Sequence, residues 1–257
     1  MLERGVPLLE TRDLTIRFGG QTAVNGVSCS FERGTLTAIV GPNGAGKTTY
    51  FNAISGQLRA SRGDVLLHGV CVTRLSAPGR TRRGIGRAFQ LTNLFPNLSV
   101  HENVRLAVQS RAGVGLSLLA LAADKRGLRD RASALLDRVR LGERAAVPAA
   151  SLSHGDQRKL EVAVLLALEP DVFMFDEPTA GMSVDEVPVI LDLIETIRAD
   201  SAKAILLVEH KMDVVRRLAD RVIVLTEGTL VADGAPGEVV ASSVVREAYL
   251  GVAPAHA

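Results

Sequence analysis

Cysteine is scarce in this sequence, with only Cys29 and Cys71 among 257 residues, and neither has a neighbour at metal-ligand spacing. That excludes a cysteine zinc site and a dithiol redox motif, and leaves two unpaired packing residues as the expectation. Long hydrophobic runs are missing too. The longest uncharged stretch near the middle, Ala112 to Ala123, lies between Arg111 and Asp124 and is too short to span a bilayer. The first residues, Met1-Leu2-Glu3-Arg4, lack the basic region and apolar core of a secretory signal, so a cytosolic chain is expected. Charge of one sign is weak as well: the formal net charge is +2, and Lys and Arg are spread without a basic tract suited to a phosphate backbone. No nucleic-acid partner is therefore expected. What is present, 47% hydrophobic and 23% charged residues, fits one large α/β domain or a core with a smaller subdomain.

The most specific signal is Gly41-Pro42-Asn43-Gly44-Ala45-Gly46-Lys47-Thr48, a full match to G-x-x-x-x-G-K-[ST] directly after the apolar run Leu36 to Val40. Four fixed positions of this kind arise by chance in roughly one chain of this length in a hundred. The glycines let the backbone curl so that successive N–H groups point at phosphate oxygens, and the helix opening near Gly46 adds its positive end. Lys47 is expected to neutralise the β- and γ-phosphates, and the Thr48 hydroxyl to bind Mg²⁺. A bound nucleoside triphosphate follows from this loop, but its use does not.

Around the loop, Leu14 to Phe18, a Gly19-Gly20 turn and Val27 to Phe31 predict antiparallel strands. Asp64 to Val72, broken at His68-Gly69, predicts another hairpin. From about Leu91 to Leu152 helical spacing replaces strand signals, with Ser99 and Glu102 at capping-box spacing, and a helical insert is expected there. Leu160 to Leu168, Val187 to Ile197 and Met212 to Leu218 carry helical spacing, while Val172 to Phe175 and Ala204 to Val208 suit buried parallel strands. The predicted fold class is a parallel α/β core interrupted by a helical subdomain.

In such a sheet ligands gather at the carboxyl ends of the strands. Asp176 and Glu177 end one strand: Asp176 suits Mg²⁺ and Glu177 a general base for the attacking water, against the alternative of two surface acids before Pro178. His210 ends another strand and is a candidate for touching the γ-phosphate or the water, with a plain surface histidine as the alternative. Gln90 borders the helical stretch, where an amide could touch Mg²⁺ or water. Ser153 and Asp156 have capping-box spacing, so Ser151 to Gln157 presents a second helix N-terminus and a second anion-seeking device, or a simple cap.

With these motifs in this order, the chain resembles the ATP-binding subunits of ABC transporters over essentially its whole length. The matching pieces are Gly41 to Thr48, Gln90, the signature-like Leu152-Ser153-His154-Gly155-Asp156, Asp176-Glu177 and His210. The resemblance implies a RecA-like P-loop NTPase core with an antiparallel β subdomain and a helical subdomain insert. The implied division is 1–90 for the first part of the core, 91–152 for the helical subdomain, 153–241 for the second part of the core and 242–257 for a tail. It implies an ATPase that uses ATP and Mg²⁺, with Glu177, His210 and Lys47 catalytic and Thr48, Gln90 and Asp176 at the metal. Nucleotide contacts are implied for Phe18, stacking on adenine, for Gly41, Pro42, Asn43, Gly44, Ala45, Gly46, Lys47, Thr48 and Thr49, and for Gln90. Ser153 and Gly155 are implied to act in trans, on ATP held by a second ATP-binding subunit, the same chain or a paralogue.

Further implied partners are transmembrane permease subunits, docked around Gln90 to Val104, and, indirectly, a periplasmic or extracellular solute-binding protein. The implied location is the cytoplasmic side of the membrane, peripheral through the permease. Arg87 to Leu91, Leu94 to Val104, Glu177 to Met182 and Tyr249-Leu250-Gly251 look like branched-chain amino-acid uptake ATPases, with urea and amide importers sharing several features. Lipid exporters, non-transport relatives and a kinase are the alternative readings. The usual signature L-S-G-G-Q is altered at His154 and Asp156, and Ser183 stands where many relatives carry aspartate.

Overall fold

The computed structural model describes residues 6–88, 94–113 and 125–242, which fall into two compact units. The first holds the described chain up to Ile85, then Asp171–Glu177 and the residues from Arg198 onward; the second holds Gly86–Pro170 and Pro178–Ile197. Gln90, most of the Ala112 to Ala123 stretch and the tail beyond Gly251 lie outside the described residues.

In the first unit β1 (Leu9–Phe18) and β2 (Gln21–Phe31) form the predicted hairpin across Gly19-Gly20. After β3 (Thr35–Val40) and the helix Lys47–Ser55, β4 (Arg62–Leu67) and β5 (Val70–Cys71) turn through His68-Gly69 and complete an antiparallel sheet in the order β2-β1-β4-β5. The strand β6 (Ile85–Ala88) carries the chain out of this unit. The chain re-enters as β7 (Val172–Asp176), β8 (Ala204–Val208), β9 (Arg221–Thr226) and β10 (Thr229–Gly234). These lie beside β3 in the order β10-β9-β3-β8-β7, with β10 antiparallel and the others parallel. The hairpin β9–β10 was not among the sequence expectations, although Val222 to Leu225 is apolar and Glu227-Gly228 is a turn pair.

The parallel strands are apolar throughout because both their faces are covered. On one side Ile39, Met174, Leu206 and Ile223 pack with Tyr50, Phe51 and Ile54 of the helix Lys47–Ser55. On the other Ala38, Val40, Val222 and Val224 pack with Val215 of the helix Met212–Leu218 and with Val239. The helix that follows the phosphate-binding loop is thereby clamped onto the sheet that delivers the loop.

Arg80, only 1% exposed, secures the far end of that helix. Its guanidinium donates to the carbonyls of Ala53 and Ile54 at 2.6 Å, of Thr73 at 2.7 Å and of Leu75 at 3.3 Å. No acid pairs with it among the described residues. The cation instead satisfies carbonyls left open at the helix C-terminus and sits at the negative end of the helix dipole, while burial holds its pKa below the usual arginine range. Arg80→Met is expected to lower the unfolding free energy by roughly 3 kcal/mol, read by urea denaturation, because buried carbonyls lose their donor.

In the second unit Ser99 caps the helix Val100–Arg111, its hydroxyl accepting the Glu102 N–H at 3.1 Å. Only half of the capping box forms, since the Glu102 carboxylate goes to Arg105 at 2.8 Å. Val100, Val104 and Val108 are buried, and this helix packs on the helices Lys125–Arg138 and His154–Ala167. The buried Asn103 accepts the Phe95 N–H and donates to the Phe95 and Ser99 carbonyls, which holds the turn before the helix.

The packing expectation holds for one cysteine only. Cys29 is buried, and burial pushes its thiol up to about 11. Cys71 is exposed and its thiol donates to Asp64 at 3.3 Å.

Candidate nucleotide-binding site

Leaving β3 at Val40, the chain curls through residues 41–46 before the helix begins at Lys47. Gly41 has φ 152, and a side-chain carbon there would lie 2.1 Å from the Leu225 carbonyl oxygen. Gly46, the helix N-cap, has φ 92, and the same atom would lie 2.4 Å from the Ala23 carbonyl oxygen. Both contacts come from strands that press on the loop from outside. The turn between β9 and β10 adds a stitch, with Gly228 N–H donating to the Ala45 carbonyl at 3.1 Å and its own carbonyl accepting from Asn25.

The resulting cavity holds about 430 Å³ and is lined by Gln21, Thr22, Ala23, residues 43–49, Glu177, Glu227 and Gly228. Of the predicted phosphate-loop residues, Gly41 and Pro42 stand behind this wall, while Asn43, Gly44, Ala45, Gly46, Lys47, Thr48 and Thr49 form it. The Lys47 ammonium is largely buried and donates to the Gly41 and Pro42 carbonyls at 2.7 and 2.9 Å. Burial lowers its pKa, while the carboxylates of Glu177 and Asp176 act in the opposite direction.

Register explains why those acids converge on the loop. Asp176 of β7 stands beside Val208 of β8, and Val208 stands beside Ile39 of β3, so the end of β7 is level with the start of the phosphate-binding loop. Asp176 is buried. The Glu177 N–H donates to the Val208 carbonyl at 2.9 Å and the residue takes φ 49, a left-handed backbone that a glutamate adopts at a cost. Its side chain is half exposed, and His210 Nδ1 lies 3.8 Å from Glu177 Oε1. A residue missing from the sequence reading holds His210 in place: Glu209 is buried, and its carboxylate accepts the N–H groups of His210 at 2.9 Å and Lys211 at 3.1 Å. Its adjacency to His210 at a strand end was the available signal.

Phe18, at the end of β1, is 52% exposed and lies outside the cavity wall, but it pairs across the hairpin with Gln21, which is part of it. Gln90 is not among the described residues. No group of three or more His, Cys, Asp or Glu able to hold a metal ion occurs among the described residues. Thr48 and Asp176 nonetheless offer hard oxygens of the kind Mg²⁺ takes beside nucleotide phosphates.

Ser153 and Gly155 belong to the second unit. Ser153 is the N-cap of the helix His154–Ala167, its hydroxyl accepting the Asp156 N–H at 3.2 Å. The Asp156 carboxylate neither caps the helix nor is left to face an anion: Lys159 and Arg144 each hold it at 2.8 Å. Gly155 is buried, and a side-chain carbon on it would collide with the Glu186 carboxylate, which Ser183 binds through its N–H and hydroxyl. His154 is exposed, its ring 3.2 Å from where a Gly181 side chain would begin.

Three comparisons bear on this site. The profile of the ABC transporter family matches residues 24–180. The chain is 38% identical over 252 residues to the high-affinity branched-chain amino acid transport ATP-binding protein LivG of Salmonella typhimurium, covering 96% of this chain and 99% of the relative. It is 35% identical over the same length to the corresponding protein BraF of Pseudomonas aeruginosa, with the same coverage of both chains. Among solved structures, the ADP conformation of MJ1267, an ATP-binding cassette of an ABC transporter, aligns with a TM-score of 0.80 at 27% identity, covering 95% of this chain and 99% of that one.

Proposed function

The chain belongs to the ABC transporter family as an ATP-hydrolysing subunit, and on that premise we propose that it powers the import of branched-chain amino acids through permease subunits. The observation that carries the catalytic part is that Lys47 and Glu177 line one cavity with the N-terminus of the helix Lys47–Ser55. Phosphates lie on the loop N–H groups and Lys47, with Phe18 placed for the base. Thr48, Asp176 and Gln90 are the residues that would hold Mg²⁺, which when bound neutralises developing phosphate charge. Glu177 orients and deprotonates the attacking water, and His210, steadied by Glu209, contacts the γ-phosphate. Ser153 and Gly155 complete the site on a second subunit, so that ATP closes a dimer and hydrolysis reopens it.

No helix among the described residues is long and apolar enough to cross a membrane, which agrees with attachment through a partner. The exposed side chains Phe95, Leu98 and Val147 support a docking surface for the permease in the second unit. They are brought together by the bridge between Ser99 and Pro148 and by the Ala149 N–H bonded to the Leu98 carbonyl. The substrate rests on the relatives named above, since an ATPase subunit does not touch the cargo.

The test is uptake into vesicles holding this chain, its permease subunits and the solute-binding protein. ATP-dependent uptake of leucine, isoleucine and valine is expected. Uptake of urea or amides instead would overturn the substrate assignment, and net efflux would overturn import.

A further inference from the structure

The cavity wall contains a second glutamate for which phosphate binding has no use. Glu227 occupies the two-residue turn between Thr226 and Thr229 with φ 49, followed by Gly228 with φ 75. Both residues have positive φ, a turn that favours Asn-Gly, so a glutamate in the first place is held against its backbone preference. Its side chain is exposed in the cavity, and no ion pair or hydrogen bond engages it among the described residues. A free carboxylate beside a triphosphate repels it, unless it faces the part of the nucleotide that carries hydrogen-bond donors.

The lining residues place it there. Glu177 follows Asp176 at the end of β7, level with the start of the loop, whereas Glu227 sits in the β9–β10 turn, whose Gly228 N–H bonds to the Ala45 carbonyl. At the other end Gln21 pairs with Phe18, the residue set for the base. Between these ends β2 and the β9–β10 turn are joined by the Asn25 N–H on the Gly228 carbonyl at 2.8 Å, and Thr22, Ala23, Glu227 and Gly228 line the cavity together. A nucleotide with its phosphates on the loop and its base toward Phe18 would carry its sugar past this part of the lining.

We propose that Glu227 reads the sugar of the bound nucleotide, its carboxylate accepting hydrogen bonds from the 2′- and 3′-hydroxyls, so that the ATPase prefers ribonucleotides to 2′-deoxyribonucleotides. This rests on the nucleotide site set out above. The same logic operates where an acid beside a phosphate-binding turn holds ribose hydroxyls.

The intact chain is assayed for ATPase activity with ATP, 2′-deoxyATP and GTP, as wild type, Glu227→Gly and Glu227→Gln. Glycine suits the positive φ and removes the carboxylate; glutamine keeps the shape and loses the charge. In the wild type KM for 2′-deoxyATP is expected about tenfold above that for ATP, the scale of one hydrogen bond to a charged acceptor. The ratio should fall to about one in Glu227→Gly and lie between in Glu227→Gln, with the ATP to GTP ratio unmoved. The same ribose discrimination in wild type and Glu227→Gly overturns the proposal, as does a wild type that does not discriminate. A change in the ATP to GTP ratio instead would assign Glu227 to the base and also overturn it. These outcomes leave the ATPase reading standing, whereas failure of the wild type to turn over any of the three nucleotides removes both.

Discussion

Glu177→Gln is expected to slow ATP hydrolysis by about a thousandfold while ATP binding persists, the scale lost when a positioned general base cannot take a proton. The substitution changes little else. The backbone at residue 177 is pinned by its N–H to the Val208 carbonyl, and the amide has the size of the carboxylate it replaces. Lys47 loses one of the two carboxylates that oppose the effect of its burial, but it keeps Asp176 and its bonds to the Gly41 and Pro42 carbonyls, and the loop N–H groups proposed to hold the phosphates are unchanged. In the proposed cycle, where cleavage reopens a dimer, ATP should also hold the variant as a dimer. Single-turnover hydrolysis and size-exclusion chromatography with and without ATP measure the two effects. Normal turnover would show that Glu177 is not the base, and loss of binding would show that its charge serves the loop instead.

Gly46→Ala is expected to abolish measurable ATP binding and to cost roughly 2–3 kcal/mol of stability, through a positive φ and a backbone collision together. Gly44→Ala is the control. Gly44 also has positive φ, 81, but nothing lies within 4 Å of the added carbon, so only the conformational penalty of about 1 kcal/mol applies. Urea denaturation and ATP titration of both variants separate the causes. Equal losses would mean that conformational freedom alone makes Gly46 necessary. A larger loss at Gly46 means that the Ala23 carbonyl decides.

Much of this architecture was legible along the chain because it is written in short, contiguous patterns. The hairpin at Gly19-Gly20, the buried strands Val172–Asp176 and Ala204–Val208 and the serine caps at Ser99 and Ser153 each depend on residues a few positions apart. Glu102 and Asp156 show the limit of such patterns. Both have capping-box spacing, yet Arg105 takes the first carboxylate and Lys159 with Arg144 the second. Competing cations won, and the partner twelve positions upstream of Asp156 has no fixed spacing by which to announce itself. Arg80 was invisible for a related reason, since its partners are backbone carbonyls that any residue supplies.

By itself the sequence determined that a triphosphate loop follows a buried strand, that acids and a histidine end two further strands, and that the whole resembles a transport ATPase. These depend on residue type and short spacing, which the chain carries wherever it folds. Only the tertiary structure decided that Gly41 and Gly46 must be glycine because Leu225 and Ala23 crowd them. It also brought Glu177 and Glu227 from distant strands to the walls of one cavity. Strand order and register set those meetings, and they arise from how separate apolar faces share one core.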